Sequence, residues 1–160
     1  MEMQAQAKQQ ETVEISFTQN VKVTMEQIKN MLVGALEGGS NYWYWISKIN
    51  PPKNLDRHDA HNNIYNAAMN DGGSLVFVDK DDIKTDFFFG KAILDKNGDV
   101  IPKDDDIEEF VLDWNKIVNG LKLMAKKASN DFKNMIDGND DEITADVFLQ
   151  YCLFGKLIYG

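Results

Sequence analysis

Four aromatic residues in unbroken succession, Tyr42-Trp43-Tyr44-Trp45, follow directly on Gly38-Gly39-Ser40-Asn41. The chain has three tryptophans and five tyrosines, so half of these polar-tipped rings stand side by side. Such a run has neither the 3.6-residue period of an amphipathic helix nor the two-residue period of a half-buried strand. Whichever way the backbone turns, some rings point away from the local core. Rings of that kind stack on a flat ligand or fill an interface. The competing reading gives two rings to the core and two to a contact between copies of the chain; an interfacial pocket would satisfy both.

Charge singles out the same window. The chain carries 17 basic and 26 acidic side chains, a net charge of −9. Residues 1–39 contribute −2, residues 71–160 contribute −8, and residues 40–70 contribute +1 through Lys48, Lys53 and Arg57 against Asp56 and Asp59. Arg57 is the only arginine, and both histidines, His58 and His61, lie beside it. An acidic bulk repels polyanions over about a Debye length, which argues against long nucleic acids as partners. No apolar run approaches the ~20 residues of a membrane-spanning helix, so no membrane partner is expected. No apolar stretch follows basic residues near the start, and Cys152 is the only cysteine. That pattern fits a reducing cytoplasm and excludes an internal disulfide.

At 160 residues the chain suits one domain. Residues 1–14 are polar, Gln-rich and aperiodic and are expected to form a flexible tail, with residues 15–160 as a single domain. Alternation over residues 15–23 (Ile15, Phe17, Val21, Val23) predicts a strand. Thr24 with Gln27 is a capping-box pattern. It opens a helix on the stripe Met25, Ile28, Leu32 and Leu36 that Gly38-Gly39 ends. The aromatic run is predicted to be helical over residues 41–47, since Pro51-Pro52 forbid continuation. A helix over 56–69, strands over 74–79 and 87–94, and a turn at Asn97-Gly98 follow. A strand near 110–112 leads to a helix capped by Asp113 and running to about Lys127. A short helix over 131–136 and a buried one over 145–154 close the chain. The expected class is α+β, an antiparallel sheet packed with helices on one side.

Several candidate sites have weak chemistry. His58 and His61 share a helical face, yet no third ligand stands at motif spacing, so no metal is expected. Asp95–Asp99 and Asp137–Asp141 imitate the opening of calcium loops. Both lack the glycine at the sixth position and the bidentate Glu at the twelfth, and they read as acidic turns. Cys152 lies in an apolar helix with no basic neighbour and reads as a structural thiol. No phosphate-binding loop, dinucleotide fingerprint or nucleophile elbow is present, so neither catalytic residues nor a cofactor are expected. The aromatic window remains. Tyr42, Trp43, Tyr44 and Trp45 offer stacking faces. Lys48, Arg57 and His58 offer cations for phosphates, and Asn41 could read a base edge.

Three stretches carry a resemblance: Leu36-Glu37-Gly38-Gly39 with Asn41-Tyr42-Trp43; Asn70 to Asp79; and Ala145-Asp146 through Gln150, Phe154-Gly155 and Tyr159-Gly160. Together they resemble a family of small phage-encoded proteins. That family is in turn similar to the anti-CBASS sponges, which bind cyclic dinucleotides without turnover. The matches cover about a third of the chain, and residues 80–108 have no counterpart. The resemblance implies a phage immune-evasion protein that sequesters a cyclic dinucleotide such as cyclic GMP-AMP in the host cytoplasm. It also implies a homo-oligomer with pockets near subunit interfaces. Only Asn41, Tyr42 and Trp43 match the motif itself; Tyr44, Trp45, Lys48, Arg57 and His58 are added on chemical grounds. The alternative function is an acidic phage protein that inhibits a host enzyme by direct contact or by nucleic-acid mimicry.

Overall fold

The computed structural model describes residues 18–55, 64–86 and 91–160. The first helix, α1 (Met25–Gly34), begins as its sequence dictates. The Thr24 hydroxyl accepts from the Gln27 backbone N–H at 3.1 Å, and Gln27 Oε1 accepts from the Thr24 N–H at 2.8 Å. Caps of this kind contribute about 1 kcal/mol. The helix then widens into a single π-turn, Ala35–Gly39, before Ser40 breaks it.

A three-stranded antiparallel sheet in the order β1-β2-β3 forms the centre: β1 (Tyr44–Asn50), β2 (Ser74–Asp79) and β3 (Glu109–Leu112). Helix α2 (Ile64–Met69) lies between β1 and β2 in the chain. After β3 come α3 (Trp114–Lys127), α4 (Ser129–Asp137) and α5 (Glu142–Phe154). Helix α5 is apolar nearly all round and buried from Thr144 to Leu153 except at Asp146, so it serves as the central post of the helical layer. Its ends are set locally. Asp141 accepts from Thr144 N–H at 2.8 Å at the start, and Gly155 adopts a left-handed φ of 67° at the stop. The main core joins Leu75, Phe77 and Leu112 from one sheet face to Ile28, Met31, Leu32, Ile117, Met124 and Phe148 from the helices. Each large apolar side chain so withdrawn stabilises by roughly 1.5–3 kcal/mol. The α+β class with helices packed on an antiparallel sheet is thus observed.

The aromatic run is not a helix. Tyr42 and Trp43 lie in a turn, and Tyr44–Asn50 is strand β1. Aromatic and β-branched side chains fit a pleated surface, and pairing with β2 satisfies the backbone of the run. Residues 18–23 form no strand, because no sheet strand lies alongside them among the described residues; 15–17 lie outside those residues. The tail 1–14, the first part of the expected 56–69 helix and residues 87–90 also lie outside. Residues 91–94 contribute only the isolated bridges Thr85↔Ala92 and Leu94↔Val100, not a full strand. The Asn97-Gly98 turn does form, with Gly98 at φ 85° and the Asp95 N–H donating to Asp99 C=O at 2.8 Å.

Strand β1 contains one bulge. Its register with β2 shifts between Ile46 and Lys48, leaving Ser47 extra. Ile46 and Ile49 are three residues apart and both pack on the main core, which an unbroken two-residue alternation would forbid. Val76, Val78 and Ile83 are buried outside the main cluster, so the second sheet face is covered as well.

Candidate functional site

The structure divides the aromatic run between two tasks. Trp43 and Tyr44 are buried, at 3% and 4% exposure, whereas Tyr42 is 52% exposed and Trp45 is half-buried. Tyr44 meets Trp43 and Phe77 edge-on, with centroids 5.1 and 4.9 Å apart, and its hydroxyl donates to Ala35 C=O at 3.2 Å. Burial pushes its phenol well above the ordinary tyrosine range.

Tyr42 and Trp43 converge on one carboxylate. Asp146, half-buried at the one gap in the buried run of α5, accepts from the Tyr42 hydroxyl at 3.0 Å, the Trp43 indole N–H at 2.9 Å and the Gln150 amide at 2.8 Å. Gln150 is fully buried, and its Oε1 accepts from Ile158 N–H at 2.7 Å and Tyr159 N–H at 2.8 Å. The Tyr159 hydroxyl donates to Asp79 at the end of β2. Gly39 sits so close to the first turn of α5 that a Cβ there would lie 2.3 Å from Glu142 C=O. Residues 39–43, Asp79 and residues 142–159 therefore meet at one point, and what they build there is a structural lock. Tyr42 and Trp43, expected to bind ligand, are committed to this lock and do not line the large cavity. No linear signal announces this, since Asp146 lies 103 residues from Trp43.

The other half of the prediction comes together elsewhere. A cavity of about 890 Å³ opens beside β1 and takes in Asn41, Tyr44, Trp45 and Lys48. Its far wall is the turn Asn97–Val100, and Lys80 enters from the end of β2. Leu36 of the π-turn and Ile64 of α2 line it from the core side. Lys48 and Lys80 against Asp99 leave the lining with one net positive charge, in a chain of −9. Ligand sites commonly have ~300–1,000 Å³; this cavity lies in that range, with Leu36, Ile46, Ile49, Ile64 and Leu94 as apolar wall beside its polar groups. Lys80, Asn97 and Asn50 were not anticipated as site residues. Lys80 could have been, because it stands opposite Trp43 once the two strands are paired. Arg57 and His58 lie outside the described residues, as does His61.

A second cavity of about 330 Å³ lies between Gly72–Ser74 and the start of α3. Asp71 and Asp113 line it, and no cation does among the described residues, so it is unsuited to an anion. The acidic turns behave as turns. Asp95 Oδ1 accepts from the Asn97 and Asp99 N–H groups at 2.7 and 3.0 Å, and the Asp141 carboxylate is spent on the α5 cap. No group of three metal-ligating side chains exists among the described residues. Cys152 is buried, and burial pushes its thiol far above the ordinary range, away from nucleophilic chemistry.

Compared with known proteins, the chain matches no family model, and no curated protein or solved structure is significantly similar to it. The site's own chemistry therefore carries the functional reading.

Proposed function

We propose that the protein is a non-catalytic binder of a small, flat, anionic ligand, a cyclic dinucleotide, which it sequesters as a phage-encoded sponge against host antiphage signalling. The observation that carries this reading is the cavity beside β1. It combines a partly exposed indole, Trp45, with two lysines and three asparagines, Asn41, Asn50 and Asn97, in a volume suited to a ligand of that size. Stacking on an indole contributes about 1–3 kcal/mol per base. Lys48 and Lys80 supply attraction for phosphates in an otherwise acidic protein. The cavity needs no acid–base pair for this task, and capture without turnover asks for none. The resemblance of the motif stretches to phage proteins supports the same reading. Mimicry of nucleic acid fits less well, because α3 alone exposes Lys116, Lys122, Lys126 and Lys127.

Native mass spectrometry of the protein mixed with a panel of cyclic dinucleotides tests the proposal. The expected result is a stoichiometric adduct whose ligand is released unchanged on denaturation. The same spectrum reads the subunit number, which the proposal places above one. Lys48→Glu should weaken the adduct at least about tenfold while leaving the fold intact. Absence of any adduct across the panel overturns the reading, and recovery of a cleaved ligand makes the protein an enzyme instead.

A further inference from the structure

The cavity is not a pit between side chains; it follows the open edge of β1. All seven strand residues and Pro51 line it. Among the described residues β1 is one of the two edge strands of the sheet, and its backbone hydrogen-bonds only to β2.

The alternation of the ladder decides which backbone groups face the cavity. Lys80 N–H donates to Trp43 C=O at 3.0 Å, so Trp43 directs its carbonyl at β2. In an antiparallel pair, residues whose two polar groups face the partner alternate with residues whose groups face away. Tyr44 and Ile46 therefore turn their N–H and C=O groups outward, and the bulge at Ser47 passes the next outward position to Ile49. Each outward residue holds a donor beside an acceptor.

A second polypeptide strand is the usual taker of such an edge, yet β1 carries two devices that discourage it. The bulge distorts the ladder, and Lys48 places a charge in the middle of the strand. What fits instead is something short and flat. The edge of a nucleobase presents an acceptor beside a donor, the complement of one extended residue. Above the strand edge stands Trp45. On the core side stand Leu36 and Ile64.

We propose that the outward backbone groups of Tyr44 and Ile46 read one base of the ligand through paired main-chain hydrogen bonds. The base is slotted between Trp45 on one face and Leu36 and Ile64 on the other, with Lys48 and Lys80 holding the phosphates. This rests on the ligand reading above and names the element that recognises the base. It also makes recognition tolerant of base identity, since purines and pyrimidines alike carry adjacent donors and acceptors.

The test is calorimetric titration with cyclic di-AMP and cyclic GMP-AMP. It is repeated with counterparts whose base edges are blocked by double methylation of the exocyclic amine of adenine, which removes both of its N–H donors, or by methylation of the ring N–H of guanine. Blocking should weaken binding at least about tenfold, the loss expected when a paired hydrogen bond is replaced by a clash. Ile46→Pro removes an outward N–H and no ladder bond, so it should weaken the unmodified ligands to a similar degree. Should that variant fail to fold, the methylated ligands decide alone. Equal affinity for blocked and unblocked ligands overturns the backbone reading and leaves the sponge standing. Failure of every unmodified ligand to bind overturns both.

Discussion

Trp43 lies flat on Tyr159, with ring centroids 4.4 Å apart and planes 7° from parallel. The two rings lie 116 residues apart in the sequence, and each is pinned at its polar tip, Trp43 by Asp146 and Tyr159 by Asp79. The stack closes the C-terminal residues over α5 and the entrance to β1. Trp43→Ala should therefore destabilise the fold by about 3–5 kcal/mol, the usual cost of deleting a buried large aromatic. Tyr159→Phe keeps the stack and loses one hydrogen bond, at a cost of about 1 kcal/mol. Urea unfolding followed by circular dichroism measures both. A midpoint for Trp43→Ala equal to that of the parent would mean that the lock carries no stability.

The same lock should give way in alkali. The Tyr42 phenol is pushed up to about 12, first by partial burial and then by its hydrogen bond to Asp146 and that carboxylate's charge. Tyr44 and Tyr159 shift in the same direction, chiefly through burial. An unfolded tyrosine ionises near 10. These groups therefore lend stability that is complete below about pH 10 and is lost as pH rises through the folded values. Phenolate absorbance of the native protein should rise later than that of the urea-unfolded protein. In Tyr42→Phe, stability should decline less between about pH 10 and 12. A native titration curve that overlays the unfolded one would contradict this.

Gly120 marks the closest approach of α3 to α5. A Cβ placed there would lie 2.5 Å from Cys152 Cα and 2.4 Å from its Sγ. Because one of these atoms is backbone, rotamer changes cannot relieve the contact, and the helices must part. Gly120→Ala should thus destabilise by about 1–3 kcal/mol, despite the ~1 kcal/mol that alanine offers in a helix interior. Adding Cys152→Ala removes the sulfur but not the Cα, so it should recover only part of the loss. Thermal melts of the single and double variants check this, and a Gly120→Ala protein as stable as its parent would refute the tight contact.

Features encoded within a few residues were legible in the sequence. The Thr24–Gln27 box, the Asp113 cap, the Asn97-Gly98 turn, the Gly155 stop and the buried Cys152 all depend on near neighbours. Strand β1 was not legible, because its partner Ser74–Asp79 is some thirty residues away and the aromatic run has no period of its own. The site was half legible for a related reason. Charge and ring content single out a window from which Asn41, Tyr44, Trp45 and Lys48 line one cavity. Composition could not separate them from Tyr42 and Trp43, whose partner Asp146 becomes a neighbour only after α5 has docked. Lys80 follows only once β1 is known to pair with β2, and Asn97 reaches the cavity by the return of the 80–108 excursion, which leaves no linear trace.

The extra residue in β1 has a consequence for how this protein can vary. Ile46 and Ile49 share the core face only because Ser47 is spent in the bulge. Deleting that one residue would erase the bulge and restore plain alternation. Ile46 and Ile49 would then stand two apart, both still on the core face, with Lys48 between them facing away. Substitution at Ser47 costs little more than its hydrogen bond to Val76 C=O. What the bulge residue sets is therefore the shape of the strand's edge, and not which side chains reach the core.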